Sequence, residues 1–167
     1  MAAVAALATA LPGHARVEPE TATLLNMIND EGVVVMIDSS LCRAEEALLG
    51  AYITYQDNSR SMVICPGEEW DAEDHSTVRH EMAHALQHCV NIQRGTDRNT
   101  PIIDDTTRLS ELVNKVVPED QVVFIKSSYP REKWLVEFEA NYVERALTST
   151  QLIELWNKLG CREVFNV

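Results

Sequence analysis

Basic residues are scarce in this chain. Fourteen Lys and Arg stand against 26 Asp and Glu over 167 residues, a formal net charge of −12 at pH 7. Nucleic acid and anionic membrane surfaces both call for a basic face, so this balance argues against either as a partner. No apolar run approaches the roughly 20 residues of a helical membrane span. Internal repeats are absent, which removes repeat architectures. Cysteine is sparse and unpatterned: Cys42, Cys65, Cys89 and Cys161 form no C-x-x-C and no zinc-finger spacing. With 46% hydrophobic residues, the chain can bury one core over 1–167 and does not need disulfides, so buried free thiols are the expectation. Residues 1–16 are alanine-rich, with no Lys or Arg ahead of the apolar stretch. They read as a packed or flexible segment more than as a secretory signal, and the protein as soluble and cytoplasmic rather than secreted.

Against this background His80-Glu81-Met82-Ala83-His84 stands out. On a helix, histidines at i and i+4 share one face, so both imidazoles can reach one tetrahedral zinc ion. Glu81 lies about 100° round from His80 and can take a proton from an attacking water. The flanks are helical. Asp74 or Ser76 can cap the start, Val78, Met82, Ala85 and Leu86 supply an apolar stripe, and Gly95 ends the segment. The metzincin pattern is excluded, because Gln87 and Val90 occupy the positions of its Gly and third His. His88 is about 12 Å along the axis from His80, too far to share one metal with it. The third ligand must come from elsewhere.

Ser127-Ser128-Tyr129-Pro130 reads as a helix start, followed by a helix over 131–147. Its centre is Glu137-Phe138-Glu139-Ala140-Asn141. Glu137, Ala140, Asn141 and Glu144 share a face, while Glu139 points about 200° away. Only one of the two carboxylates can face the metal, and the other is expected to be solvated.

H-E-x-x-H followed by E-x-E-A-N on a later helix resembles the gluzincins, closest in style to the ImmA/IrrE-like metallopeptidases and the CAAX-processing proteases. That resemblance implies a zinc-dependent peptidase acting on protein or peptide substrate. It makes Glu137 the third ligand and Asn141 the partner that orients His80 or His84. A reading in which the ligand immediately precedes Ala selects Glu139 instead. Ile64-Cys65 ahead of the motif and the run His84 to Cys89 behind it are similar to mitochondrial metallopeptidases that process an ATP-synthase subunit, without the upstream C-x-x-C of those proteins. Tyr142, Tyr52, Tyr55 and His88 are the candidates for stabilising the transition state. A catalytically silent, zinc-stabilised binding or regulatory protein on the same scaffold is the alternative; an intact Glu81 favours catalysis. Small size points to narrow specificity.

The fold expected is α+β and zincin-like: a small sheet with a hairpin edge, packed on the active-site helix and a second ligand-bearing helix. Residues 19–30 read as a helix and Val33 to Ile37 as a buried strand, with a short capped helix from Asp38 to Leu49. Asp57-Asn58-Ser59-Arg60 marks a hairpin between 50–56 and 61–65. By the zincin resemblance, Ser61 to Cys65 would be the strand offered to extended substrate. Thr107 to Val117 reads as a helix, Glu119 to Lys126 as helix or strand, and Gln151 to Leu159 as a terminal helix closed by Gly160. Glu68, Glu69, Asp71, Glu73 and Asp74 crowd the motif helix's start. They complement its dipole, or they select a basic substrate.

Overall fold

A computed structural model describes residues 17–45, 47–96 and 99–165; the expectation for residues 1–16 lies outside them. Pro19 sits in the first turn of α1 (Pro19–Asp30), where its missing N–H is no loss, and Gly32 at φ +86° turns the chain into β1 (Val33–Ile37). The short α2 (Ser40–Ala44) is capped by Ser39 and ends well before the expected Leu49. The hairpin forms as β2 (Gly50–Thr54) and β3 (Arg60–Ile64), with Asn58 at φ +64° in its turn.

The sheet order β1-β3-β2 corrects two expectations. β3 runs parallel to β1 and antiparallel to β2. It is therefore the central strand, with both backbone edges occupied, and cannot be the strand offered to substrate. The edge on that side is β2. β1 is itself an edge rather than a buried strand: Val33 is fully buried, but Val34 is 56% exposed. The short loops of a hairpin keep β2 and β3 adjacent, and β1 takes the remaining side of β3.

The motif lies on the long helix α3 (Ala72–Gln93), started by Asp71 and Asp74 in a reciprocal capping box. Arg94 caps its end, and Gly95 at φ +68° turns the chain away. Helices α4 (Thr106–Val116) and α5 (Glu119–Ser128) follow, so the ambiguous segment is helical. Ser127 and Ser128 end α5 instead of starting the next helix. Tyr129 and Pro130 are extended, a 3-10 turn covers Arg131–Lys133, and α6 (Trp134–Ala146) carries Glu137. Thr148 and Gln151 box the start of α7 (Ser149–Lys158), and α8 (Cys161–Phe165) closes the chain. This last helix is too short to leave a periodic signal.

Met62 and Ile64 of β3, Val78, Met82 and Leu86 of α3, and Leu152 and Trp156 of α7 share the main core. A smaller cluster of Leu109, Val113 and Val117 packs α4 against Phe138 and Tyr142 of α6. The free-thiol expectation is overturned: Cys42 is bonded to Cys65, and Cys89 to Cys161. The second bond ties the C-terminal part of α3 to α8 across 72 residues, where chain entropy favours a cross-link by about 4 kcal/mol. Both bonds stand beside the elements that carry the site. Among the described residues, no helix is long and apolar enough to cross a membrane.

Candidate metal centre

Helices α3 and α6 pack face to face, and three side chains converge between them. His80 Nε2 and His84 Nε2 are 3.2 Å apart. Glu137 Oε2 lies 3.5 Å from the first and 3.7 Å from the second. A tetrahedral ion with ligand bonds near 2.0–2.1 Å has ligand–ligand edges of about 3.3–3.4 Å, so these separations and this donor set fit a divalent ion. Two imidazoles and a carboxylate suit zinc and also accept other first-row divalent ions.

The tautomers follow from the outer partners. His80 Nδ1–H donates to Glu144 Oε2 at 2.8 Å. His84 Nδ1 lies 2.8 Å from Gln87 Oε1, and the Gln87 amide nitrogen is committed to the Val136 carbonyl and Glu139. The Gln87 oxygen therefore faces the ring, and His84 Nδ1–H must be the donor. With Nδ1 committed in both rings, the two Nε2 atoms are the ones that face the common centre and would hold an ion. The Glu144 carboxylate is in turn 3.4 Å from Arg145, and its backbone carbonyl accepts from Arg79 Nε at 2.8 Å.

Asn141 does not hold either histidine. Its amide donates to the Glu137 backbone carbonyl, one turn back on the same helix. Glu144, three residues further along the face already defined by Glu137, takes that place for His80. Its i+7 spacing from Glu137 was the available signal. Gln87, at i+3 from His84, was a helix neighbour in the same way. Glu139 is not solvated either. It is 1% exposed and accepts from Ile102 N, Ile103 N and Gln87 Nε2 at 2.7–3.0 Å.

The electrostatics match this geometry. Burial opposes the His80 cation, but hydrogen bonds to Glu137 and Glu144 outweigh it and hold the ring up to about 10. Burial likewise opposes the Glu137 anion, and hydrogen bonds to His80 and His84 bring it down to about 2. Glu81 is 5% exposed, and burial raises its carboxyl against the pull of His84 and His80. It accepts the backbone N–H of Tyr52 from β2. Gly50 makes that approach possible: a Cβ there would stand 2.6 Å from Thr77 and 3.0 Å from Glu81 Cγ.

An open cleft of about 770 Å³ leads away from this centre. His84 and Glu137 line it, together with Tyr52 and Tyr55 of the hairpin and Tyr129 from the segment between α5 and α6. The structure separates the tyrosine candidates. Tyr52 hydroxyl shares a 2.8 Å hydrogen bond with His88 Nδ1, and burial pushes its pKa up. Burial also lowers His88, with Arg60 adding to the effect. Tyr55 is 45% exposed, and Tyr142 packs into the two apolar clusters rather than the cleft. Tyr129 was missed because the sequence pattern put it in a helix start. Burial, then Glu137 and Glu81, push its hydroxyl up to about 12, which places it in the field of both carboxylates. None of Glu68, Glu69, Asp71, Glu73 and Asp74 lines the cleft, which removes the basis for selection of basic substrate there.

No model of a known protein family, no curated protein and no solved structure matches this chain.

Proposed function

We propose that this chain is a gluzincin-type metallopeptidase of narrow specificity, with zinc as its resident ion held by His80, His84 and Glu137. One observation carries the reading: three ligand atoms converge between α3 and α6 with an additional buried carboxylate, Glu81, one residue along the same helix. A divalent ion there supplies Lewis acidity to a water and to the scissile carbonyl. Glu81 takes the proton of the attacking water and returns it to the leaving amine. Burial raises its pKa above the ordinary carboxylate value, the direction that favours a group taking up a proton it later returns. The Tyr52 N–H fixes its orientation. Tyr129, which lines the cleft and whose hydroxyl is pushed up by burial and by Glu137 and Glu81, is the hydrogen-bond donor we assign to the developing oxyanion.

β2 supplies the surface for an extended substrate. Cys65 N donates to Leu49 O and Tyr55 N to Ser59 O, so the odd-numbered residues of this strand face β3. The backbone groups of Gly50, Tyr52 and Thr54 face outward. Tyr52 N–H serves Glu81, and the Thr54 N–H and C=O, without a partner among the described residues, are left for β-addition. Two disulfides fit an oxidising compartment and count against the cytoplasmic expectation.

The test is zinc content by elemental analysis, paired with cleavage of a peptide library by the unmodified protein and by Glu81→Gln. Near-stoichiometric zinc in both, with cleavage lowered at least ~100-fold in the variant, is the expected result. Appreciable turnover by Glu81→Gln, or no zinc under metal-replete conditions, would overturn the reading. Zinc in both with no cleavage by either would favour a zinc-stabilised binding protein.

A further inference from the structure

The cleft carries a charge pattern opposite to that of the rest of the molecule. The chain as a whole is at −12. Yet among the described residues lining the cleft, the metal-facing Glu137 is the sole carboxylate, whereas Arg60 and Lys133 are both present. They come from different elements, Arg60 from the start of β3 and Lys133 from the turn before α6.

Arg60 is built in rather than solvated. Its guanidinium carbon lies 4.1 Å over the centre of the Phe165 ring, which is itself held by an edge contact with Trp156 and a tilted contact with His88. Its Nε is buried and has no hydrogen-bond partner. Among the described residues it makes no ion pair, although the protein has nearly two acidic groups for each basic one. A guanidinium held against an aromatic face at the cleft lining, with its terminal nitrogens making no hydrogen bond or ion pair among the described residues, is organised to receive a planar anion that arrives from outside. Lys133 is exposed, lines the same cleft and adds a second positive charge without a partner of its own among the described residues.

Position sets the register. His88 follows His84 by one helical turn, about 6 Å, and shares the Phe165 ring with Arg60. Thr54, which pairs with Arg60, stands two residues along β2 from Tyr52, whose N–H meets Glu81, so with an advance of about 3.3 Å per residue a group at Arg60 lies about two or three residues of extended peptide from the bond at the metal. We infer that the Arg60 end of the cleft is a carboxylate subsite, which selects peptides bearing an acidic side chain or a free C-terminus about two or three residues from the scissile bond. This rests on the peptidase reading and narrows its substrate class.

The probe is a set of alanine-based octapeptides with one Glu walked along the chain, matched by Gln and Lys versions, each with free or amidated C-terminus. Binding is read by fluorescence anisotropy on the zinc-loaded Glu81→Gln protein, so that turnover plays no part. Glu peptides should bind at least about tenfold more tightly than their Gln counterparts at one or two positions, and Lys peptides more weakly still. Arg60→Met should remove that preference and Arg60→Lys keep part of it. Lys133→Glu, at an exposed position where folding is not at stake, should reduce it by itself. Preference that tracks only the free C-terminus assigns the carboxylate to the terminus; preference that survives amidation assigns it to the side chain. Equal binding of Glu, Gln and Lys peptides overturns the subsite, as does a preference unchanged in both Arg60→Met and Lys133→Glu. Failure of every peptide to bind also overturns it, while the zinc and cleavage measurements judge the peptidase reading independently.

Discussion

Glu137 and Glu139 stand two residues apart on one helix, and both are buried, yet they have opposite fates. Glu139 faces the loop after α3 and accepts three N–H groups, from Ile102, Ile103 and Gln87. Its lone pairs are spent on holding that loop and Gln87 in place. Among the described residues Glu137 accepts no backbone N–H, and its carboxylate meets the two imidazoles of α3. A carboxylate left unclaimed by the backbone is free to bind a metal, and burial alone does not distinguish it from one that is claimed. The two are nevertheless linked. Glu139 holds Gln87, Gln87 holds His84, and His84 meets Glu137.

The largest effects should come from removing each carboxylate in turn. Glu137→Ala should leave a folded protein with little or no bound zinc. Glu139→Ala should strand three donors and lower stability by about 3–5 kcal/mol, while the folded fraction keeps its zinc. Elemental analysis beside denaturant unfolding separates the two. Zinc lost from Glu139→Ala and retained by Glu137→Ala would reverse the assignment of roles.

How much of this was legible beforehand divides along the same line. Helical spacing alone places His80, Glu81 and His84 together, because i and i+4 are neighbours whatever surrounds them. The same spacing shows that Glu137 and Glu139 face apart. It does not show what each face meets, since the donors from Ile102 and Ile103 arrive through a loop with no periodic signal. β2 and β3 were visible as a hairpin, but the place of β1 beside β3 is a long-range pairing, and it moved the free edge to the other strand. The cysteine pairs are long-range in the same sense: 23 and 72 residues separate partners that only the fold brings together. Tyr129 is legible only once α5 and α6 are known to break around it.

A second way to sharpen the contrast is pH. Without an ion, His80 is held up to about 10, so it carries a proton throughout the neutral range. An ion can take its Nε2 only by expelling that proton. Zinc uptake should therefore release about one proton per ion, and apparent affinity should fall about tenfold for each unit of acidification between pH 8 and 6. Glu137, brought down to about 2, should add no further proton over that range. Calorimetric titration in buffers of different ionisation enthalpy counts the protons. A value near zero would show that His80 is already neutral, and that Glu137 and Glu144 do not hold it as a cation.

The smallest effects should come from the outer partners of the two histidines, and they test whether the Glu139 face reaches the metal at all. Gln87→Leu keeps the volume roughly but removes the acceptor of His84 Nδ1–H and the donor to Glu139. Glu144→Gln keeps an acceptor for His80 and removes its charge. Loss of such partners typically weakens a metal site by 10–100-fold. Gln87→Leu should fall in that range, because it frees the ring to rotate and leaves Glu139 short of one donor. Glu144→Gln should weaken zinc binding less, and it should also reduce the proton count, because a neutral amide no longer holds the His80 cation. If Gln87→Leu left zinc affinity untouched, His84 would owe its orientation to packing alone, and the chain of contacts from Ile102 through Glu139 to the metal would carry no energy.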